Sequence, residues 1–389
     1  MKDPDQNINL MYEGSLRELI PIVLINTALS IITFGVYRFW AKTKIRRYFY
    51  SRASFLEQPL EYTGTGAELF IGFLIIICVL IPIGFCSYFL PVILLGYGIT
   101  SGPAISQGLV GLIFFYLSHI AVYRAQRYRL SRTIWRGIRA ELGGSSLTYA
   151  NQAVVCTILT IISLGLSYPY MQVRLLRYRI ENSVFGGVKF KFDAKVSTLM
   201  QAWVICLGVT TIFSLLLFIT VQPYIAEGIA SLSKNLPNLE SLNFLSYLLI
   251  PFIFLFLLPF TMIWYKAVSI RHFCNSIYFG AISAQSSLSA WNIVQIYLPL
   301  FLSVLIGTIM IFGLSLLTYD VLVGQTVVIA LFSIFYVFVP IIILHRYFDK
   351  IIGNLKLTGS LSPEELIQSK QITPTSGEGL ADALDIGAF

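Results

Sequence analysis

Eight stretches of this chain are long, apolar and free of Lys, Arg, Asp and Glu: residues 19–37, 69–97, 108–123, 153–170, 199–221, 244–265, 293–317 and 326–344. A helix needs about 20 such residues to cross the hydrocarbon core of a bilayer. A water-facing surface cannot be built from the remainder, because only 12% of residues are charged, about half the share of a soluble domain. The sequence predicts an all-α polytopic membrane protein.

The charges between the windows set a topology. Residues 38–67, 124–150 and 171–197 each carry six Lys or Arg, whereas the linkers 98–107, 222–243 and 318–325 together carry one, Lys234. Positive charge gathers in cytoplasmic loops, so the first set and both termini are expected in the cytoplasm. One window resists this scheme. Residues 153–170 have a basic loop at each end and cannot cross once. The reading adopted is that 153–170 and its counterpart 19–37 are short or re-entrant helices, bent at Gly35 in one and at Gly165 and Pro169 in the other. Six full spans remain. The competing reading is eight spans with one basic loop on the wrong side.

The chain also repeats itself. Residues 32–64 match 162–194 without a gap: Gly35 meets Gly165, Trp40 meets Tyr170, Lys44 meets Arg174, Arg47-Tyr48 meets Arg177-Tyr178, and Phe55 meets Phe185. A weaker pair sets 123–140 against 266–283, with Trp135-Arg136-Gly137 opposite Tyr278-Phe279-Gly280, and a faint copy follows at 345–360. This internal duplication divides the chain into a first repeat (1–150), a second (151–290), a partial third (291–360) and a polar, acidic tail (361–389) expected to be disordered. In the tail, Ser362 and Pro363 mark a helix start. Each copy leads from a helix into a basic, aromatic segment and then an alternating stretch around a turn. The turns are placed at 55–62 around Pro59, at 142–145 and at 186–192. Short β-hairpins forming a small cytoplasmic cap are therefore expected.

Tyr12-Glu13-Gly14-Ser15, Thr33-Phe34-Gly35-Val36-Tyr37-Arg38-Phe39-Trp40-Ala41-Lys42, Arg46-Arg47-Tyr48 and Glu61-Tyr62-Thr63-Gly64-Thr65-Gly66, with the block Tyr123 to Arg139, resemble the YjgN family of bacterial inner-membrane proteins, built around a domain of unknown function. The likeness covers most of residues 12–350. It implies a location and an architecture, and no activity. The Arg-rich character fades after residue 266, which separates the later copies from the earlier ones.

No catalytic set emerges. His119, His272 and His345 are far apart, and no Ser/His/Asp set, zinc spacing or P-loop occurs. The chain is not expected to be an enzyme or to hold a cofactor or metal. His119, late in its window, is expected to hydrogen-bond a neighbouring helix rather than act as a relay. Four of the five cysteines, Cys78, Cys86, Cys156 and Cys206, lie in apolar runs and read, with Cys274, as small buried residues. The start MKDPDQNINL lacks a basic region and a cleavage site, so no cleaved signal peptide is expected and the mature chain is taken to begin here. Nucleic acid is not an expected partner, since no polar element could carry a basic face to it.

What remains is the basic-aromatic segments. Arg46, Arg47, Arg127, Arg129, Arg136, Arg174 and Arg177 are the candidate contacts for anionic phospholipid head groups. Trp40, Tyr48, Trp135, Tyr170 and Tyr178 are the candidate interfacial aromatics. Topology alone would place some Arg here, but a patterned cluster repeated three times exceeds what topology needs. The sequence accordingly supports a multi-pass protein of the bacterial inner membrane that engages phospholipid. The alternatives are a scaffold docking a protein partner on its cytoplasmic cap, and a channel or carrier for a neutral or lipid-like solute.

Overall fold

The computed structural model describes residues 7, 8, 10–233, 260–317, 338–360 and 366. Within them one order of elements recurs: a strand, a helix leaving it, a helix returning, and a strand. The first unit is β1 (Asn7–Ile8) with β2 (Leu10–Tyr12), α1 (Leu16–Ile32), α2 (Arg38–Ser51) and β3 (Ala53–Phe55). The second is β4 (Gln58–Pro59) with β5 (Glu61–Tyr62), α3 (Gly66–Gly96), α4 (Gly102–Ser131) and β6 (Thr133–Trp135). The third is β7 (Ile138–Leu142), α5 (Ser146–Ile162), α6 (Tyr168–Glu181) and β8 (Ser183–Phe185). The fourth is β9 (Val188–Phe192), α7 (Val196–Ser233), α8 (260–274) and β10 (Ile277–Phe279). The fifth is β11 (Ile282–Ser286), α9 (Ala290–Leu317), α10 (338–353) and β12 (Leu355–Thr358).

The strands close into a ring. From β5 the antiparallel order runs through β6, β7, β8, β9, β10, β11 and β12 to β1. One residue beyond β1, β2 pairs with β3, and β3 pairs with β4. Leu60 joins β4 to β5 and donates its N–H to Ala53 O at 2.9 Å, so residues 58–62 act as one strand. The expectation of an all-α fold with separate hairpins is corrected: the hairpins are one closed antiparallel barrel. The physical reason is that a lone two-stranded hairpin is marginal in water, whereas a ring leaves no edge unpaired.

Two of the expected turns move. The turn near Pro59 is at Leu56 and Glu57, both with positive φ, and Pro59 lies in β4. The stretch 142–145 is the joint between β7 and α5, and the turn of that hairpin is Arg136-Gly137, again with positive φ at both residues. This is the backbone that a two-residue hairpin requires. Gly186-Gly187 forms its turn where expected. The alignment of 123–140 with 266–283 also shifts by one residue. Trp135 opposes Ile138 and Phe279 opposes Ile282 across their turns, so Phe279, not Tyr278, is the counterpart of Trp135. A one-residue slip reverses the face of every side chain.

The described helices attach at the end of the barrel opposite the turns. The pairs differ in reach. α1 and α5 each have 17 residues, about 26 Å at 1.5 Å per residue. α3 has 31, about 47 Å by the same rise. Both sets start directly above a strand, so the short pairs reach about half as far. Windows 19–37 and 153–170 are thus bends. α1 stops at Ile32, α2 begins at Arg38, and the chain turns at Phe34-Gly35 with φ of 50° and 85°. Gly35 donates its N–H to Ser30 O, and Gly165 to Thr160 O, both at 2.7 Å, the capping bond of a left-handed helix end. Pro169 is a first-turn proline of α6, which helices tolerate, and not a breaker. The boundaries of α1, α2 and β3 recur in α5, α6 and β8, each 130 residues on.

Among the described residues four helical segments, Gly66–Gly96, Gly102–Ser131, Val196–Ile219 and Ala290–Gly307, are long and apolar enough to cross a membrane. Windows 244–265 and 326–344 extend into residues outside the description, as do Ser362, Pro363 and all of the tail but Leu366. The helix ends pack where they meet the barrel: Phe39, Leu69 and Tyr128 join α2, α3 and α4, Tyr123, Leu142 and Tyr149 join α4, β7 and α5, and Leu19, Tyr48, Phe49 and Leu344 join the first unit to α10.

Candidate functional site

The same local chemistry builds the joints that lead into α1, α3 and α5. Ser15, Thr65 and Ser145 are extended N-caps whose hydroxyls accept from the N–H three residues on, satisfying donors that a helix start leaves unpaired. The phenol of Tyr48 accepts from Ser15 N at 2.7 Å and donates to Ser15 O at 2.8 Å. Tyr178 does the same to Ser145, at 2.9 and 3.1 Å. Basic residues tie down the backbone ahead of the next helix. Arg47 donates to Gly64 O at 2.9 Å, Arg127 to Gly143 O at 3.0 Å, and Arg177 to Ala194 O at 3.2 Å. The basic cluster therefore has a structural use: it fastens α2, α4 and α6 each to the joint beside it.

That redistributes the sequence candidates. Arg46 is buried, donating to the Tyr62 hydroxyl at 3.2 Å, and with Arg129 it lines a cavity of about 40 Å³ against Phe348. Arg136 lies apart from the other candidates. It sits on a hairpin turn, bonded to Gln58 Oε1 at 3.1 Å and stacked over Trp135 at 4.7 Å, at the end of the barrel away from the helices. Trp135 is not interfacial: it is 2% exposed and donates its indole N–H to Phe55 O at 3.0 Å. Tyr48 is buried as well. Trp40 packs against the start of α3, where a Cβ on Gly66 would fall 2.8 Å from the Trp40 Cα. Arg174, Arg177, Tyr170 and Tyr178 do come together, with Gln152 and Glu181, around an open cavity of about 300 Å³ between α5, α6 and α7. Arg174 is exposed there and donates to the Tyr170 hydroxyl at 2.5 Å, while the Arg177 Nε lies 3.9 Å from Glu181.

Three features were missed. The first is an ion pair joining α3 to α4: Glu68 accepts from Arg132 at 2.8 Å and from the Tyr128 hydroxyl at 2.6 Å, while capping Thr65. Its signal was the Thr65–Glu68 spacing of a capping box. The second is the fate of several small residues. His119 bonds Phe115 O of its own helix at 2.9 Å, not a neighbouring helix. Cys78 and Cys86 face outward from α3, while Cys156 and Cys206 are buried. Cys274 is half-buried, and burial pushes its thiol pKa up. The third is the barrel lumen, whose lining includes Leu60, Trp135, Phe185, Phe190, Phe279 and Leu357. Its signal was an aromatic just before each hairpin turn: Phe55, Trp135, Phe185 and Phe279.

A barrel carrying outward-apolar helices that are long enough to cross a bilayer defines a membrane protein. The chain belongs to the family described as bacterial protein of unknown function (DUF898), whose model matches residues 7–383. Over 134 residues it is 30% identical to the inner membrane protein YjgN of Salmonella typhimurium, an alignment that takes in 34% of this chain and 31% of that protein. No solved structure matches the chain.

Proposed function

We propose that this protein is a multi-pass protein of the bacterial inner membrane that engages anionic phospholipid at the basic end of its third helical pair. Six helices cross the bilayer, the α1–α2 and α5–α6 pairs dip into it and return, and the barrel and both termini lie in the cytoplasm. The chain grew by duplication of the strand–helix–helix–strand unit. One observation carries the lipid reading. The tip of the α5–α6 pair is an exposed apolar residue, Leu164, 89% exposed, and the same pair holds the open, basic Arg174–Arg177 cavity at its barrel end. An amphiphile with a buried tail and an anionic head has that polarity. Phe34, 98% exposed, gives α1–α2 the same apolar tip.

Native mass spectrometry with phosphatidylglycerol and phosphatidylcholine tests the reading. Arg174→Ala removes one basic contact, about 1 kcal/mol, and so reduces phosphatidylglycerol retention roughly fivefold while the protein stays folded. Equal retention of both lipids by the native chain, or no change in the variant, sinks it. A lipid-free protein carrying a second polypeptide would favour the scaffold instead.

A further inference from the structure

We infer that the barrel lumen is a binding site for one linear hydrocarbon chain, such as the acyl chain of a lipid. The inference goes beyond the head-group reading and stands on a separate part of the molecule. The lining is drawn from β2, β3 and β6 to β12, with Leu60 between β4 and β5. No lining side chain is titratable. The two polar ones are already used, Thr133 Oγ1 on Arg129 O at 2.8 Å and Trp135 Nε1 on Phe55 O at 3.0 Å. A buried water needs two to four polar partners, and the lining side chains leave only the acceptor side of the Thr133 hydroxyl.

The lumen is also too large to be a packing fault. Protein interiors leave few voids bigger than a water molecule. An eight-stranded barrel is just wide enough for its own side chains to fill, and two further strands widen it. Here about 270 Å³ is left, nearly twice a dry cavity of about 150 Å³ that takes benzene, which scales to roughly ten carbons. That suits one chain segment and excludes a fused-ring lipid. Ala140 and Ala284 line it where longer side chains would fill it. At the turn end the rings of Phe55, Trp135, Phe185 and Phe279 follow one another at 5.0, 6.0 and 6.0 Å, a girdle of faces against which methylenes pack.

The test uses the full chain in lipid nanodiscs with dodecanoic acid carrying a terminal diazirine, illuminated and mapped by mass spectrometry. Adducts are expected on the β9 and β10 peptides that hold Phe190 and Phe279, together with bilayer adducts on outward residues of α3. The double variant Ala140→Leu/Ala284→Leu loses the barrel adducts and keeps those on α3, which reports that it is folded. Should it not fold, excess unlabelled dodecane added to the native chain removes the barrel adducts. Labelling confined to α3, or barrel adducts that survive both filling and competition, overturns the inference. Arg174→Ala leaves the barrel adducts unchanged, so the head-group reading and this one fail separately.

Discussion

Removing Glu68 unfastens α3 from α4 where the two helices meet. Its carboxylate sits between the start of α3 and the end of α4, accepting from Arg132 at 2.8 Å, from Tyr128 at 2.6 Å and from Thr65 N at 3.4 Å. The Arg132 and Glu68 side chains are 12% and 22% exposed, so solvent screens the pair only partly. Hydrogen bonds to a charged group contribute about 1.5–3 kcal/mol each, and breaking a fully buried pair costs about 3–5 kcal/mol. Glu68→Ala is therefore expected to cost about 3 kcal/mol. Glu68→Gln, which can still accept from Tyr128 and cap Thr65, costs about 1–2 kcal/mol. The discriminating quantity is the coupling in a Glu68→Ala/Arg132→Ala cycle, expected near 2 kcal/mol. Arg132 also lies over the Tyr128 ring at 5.5 Å, so its own loss is not purely ionic, and the cycle separates that part. The assay is reversible unfolding in mixed detergent micelles followed by tryptophan fluorescence. Additivity within about 0.5 kcal/mol would show that the pair does not join the helices and would refute the reasoning.

The short helical pairs make a second prediction. In a background without native cysteines, Leu164→Cys resists a membrane-impermeant maleimide from both sides of the membrane, whereas Ser101→Cys, in the α3–α4 connection, reacts from the periplasmic side. Labelling of Leu164→Cys from the periplasm of intact cells would make α5 a crossing. A third concerns pH. His345 bonds the Tyr12 hydroxyl through Nδ1 at 3.0 Å. Burial lowers its pKa, Arg346 adds to the lowering and Asp349 opposes it. A His held neutral in the fold but free to protonate when unfolded stabilises fully above about pH 6.5, and that stability is lost as pH falls below it. The native chain should lose melting temperature between pH 7.5 and 5.5, and His345→Gln should flatten that slope. Parallel slopes would remove His345 from the account.

The helices were legible because the bilayer imposes a single requirement, an uninterrupted apolar stretch, and 69–97 and 199–221 satisfy it without reference to anything distant. The bend at Gly165 was legible from charge, since two basic ends cannot flank one crossing, and the bend at Gly35 followed from the likeness of 32–64 to 162–194. The barrel was not. Each strand is two to five residues long, too short for period-2 alternation to stand out, and each pairs with a partner on the far side of a helical hairpin. The turn residues misled for a local reason: Pro59 and Gly143-Gly144 look like turns, while Leu56-Glu57 does not, yet the tight antiparallel ladder imposes positive φ on the latter. The basic residues were found but their use was not. Arg47, Arg127 and Arg177 point at backbone carbonyls 16 or 17 residues away, a partnership that sequence spacing alone cannot announce.

Closure of the ring rests on β1, because β2 already satisfies β3, and a sheet left open between β1 and β12 would have two edges and no continuous wall around the lumen. Ile8 is directly opposite Leu357 in that pairing. Directly opposed residues of an antiparallel pair lie about 4.5–5.5 Å apart at Cα, inside the range of about 4.4–6.8 Å that a disulfide spans. Ile8→Cys/Leu357→Cys in a background without native cysteines should therefore oxidise to a bond that holds the two ends of the chain together after proteolysis between the helices, visible as a shift on a non-reducing gel. Ile8→Cys/Lys356→Cys is the control, since a one-residue displacement puts the second thiol on the opposite face, and it should not cross-link. Cross-linking in both would mean the strand slides. Cross-linking in neither would mean the barrel is open, and it would take the enclosed lumen with it while leaving the helical pairs standing. Closure thus couples β1 to α10: Tyr12, in the strand that follows β1, reaches His345 and Phe348 of that helix.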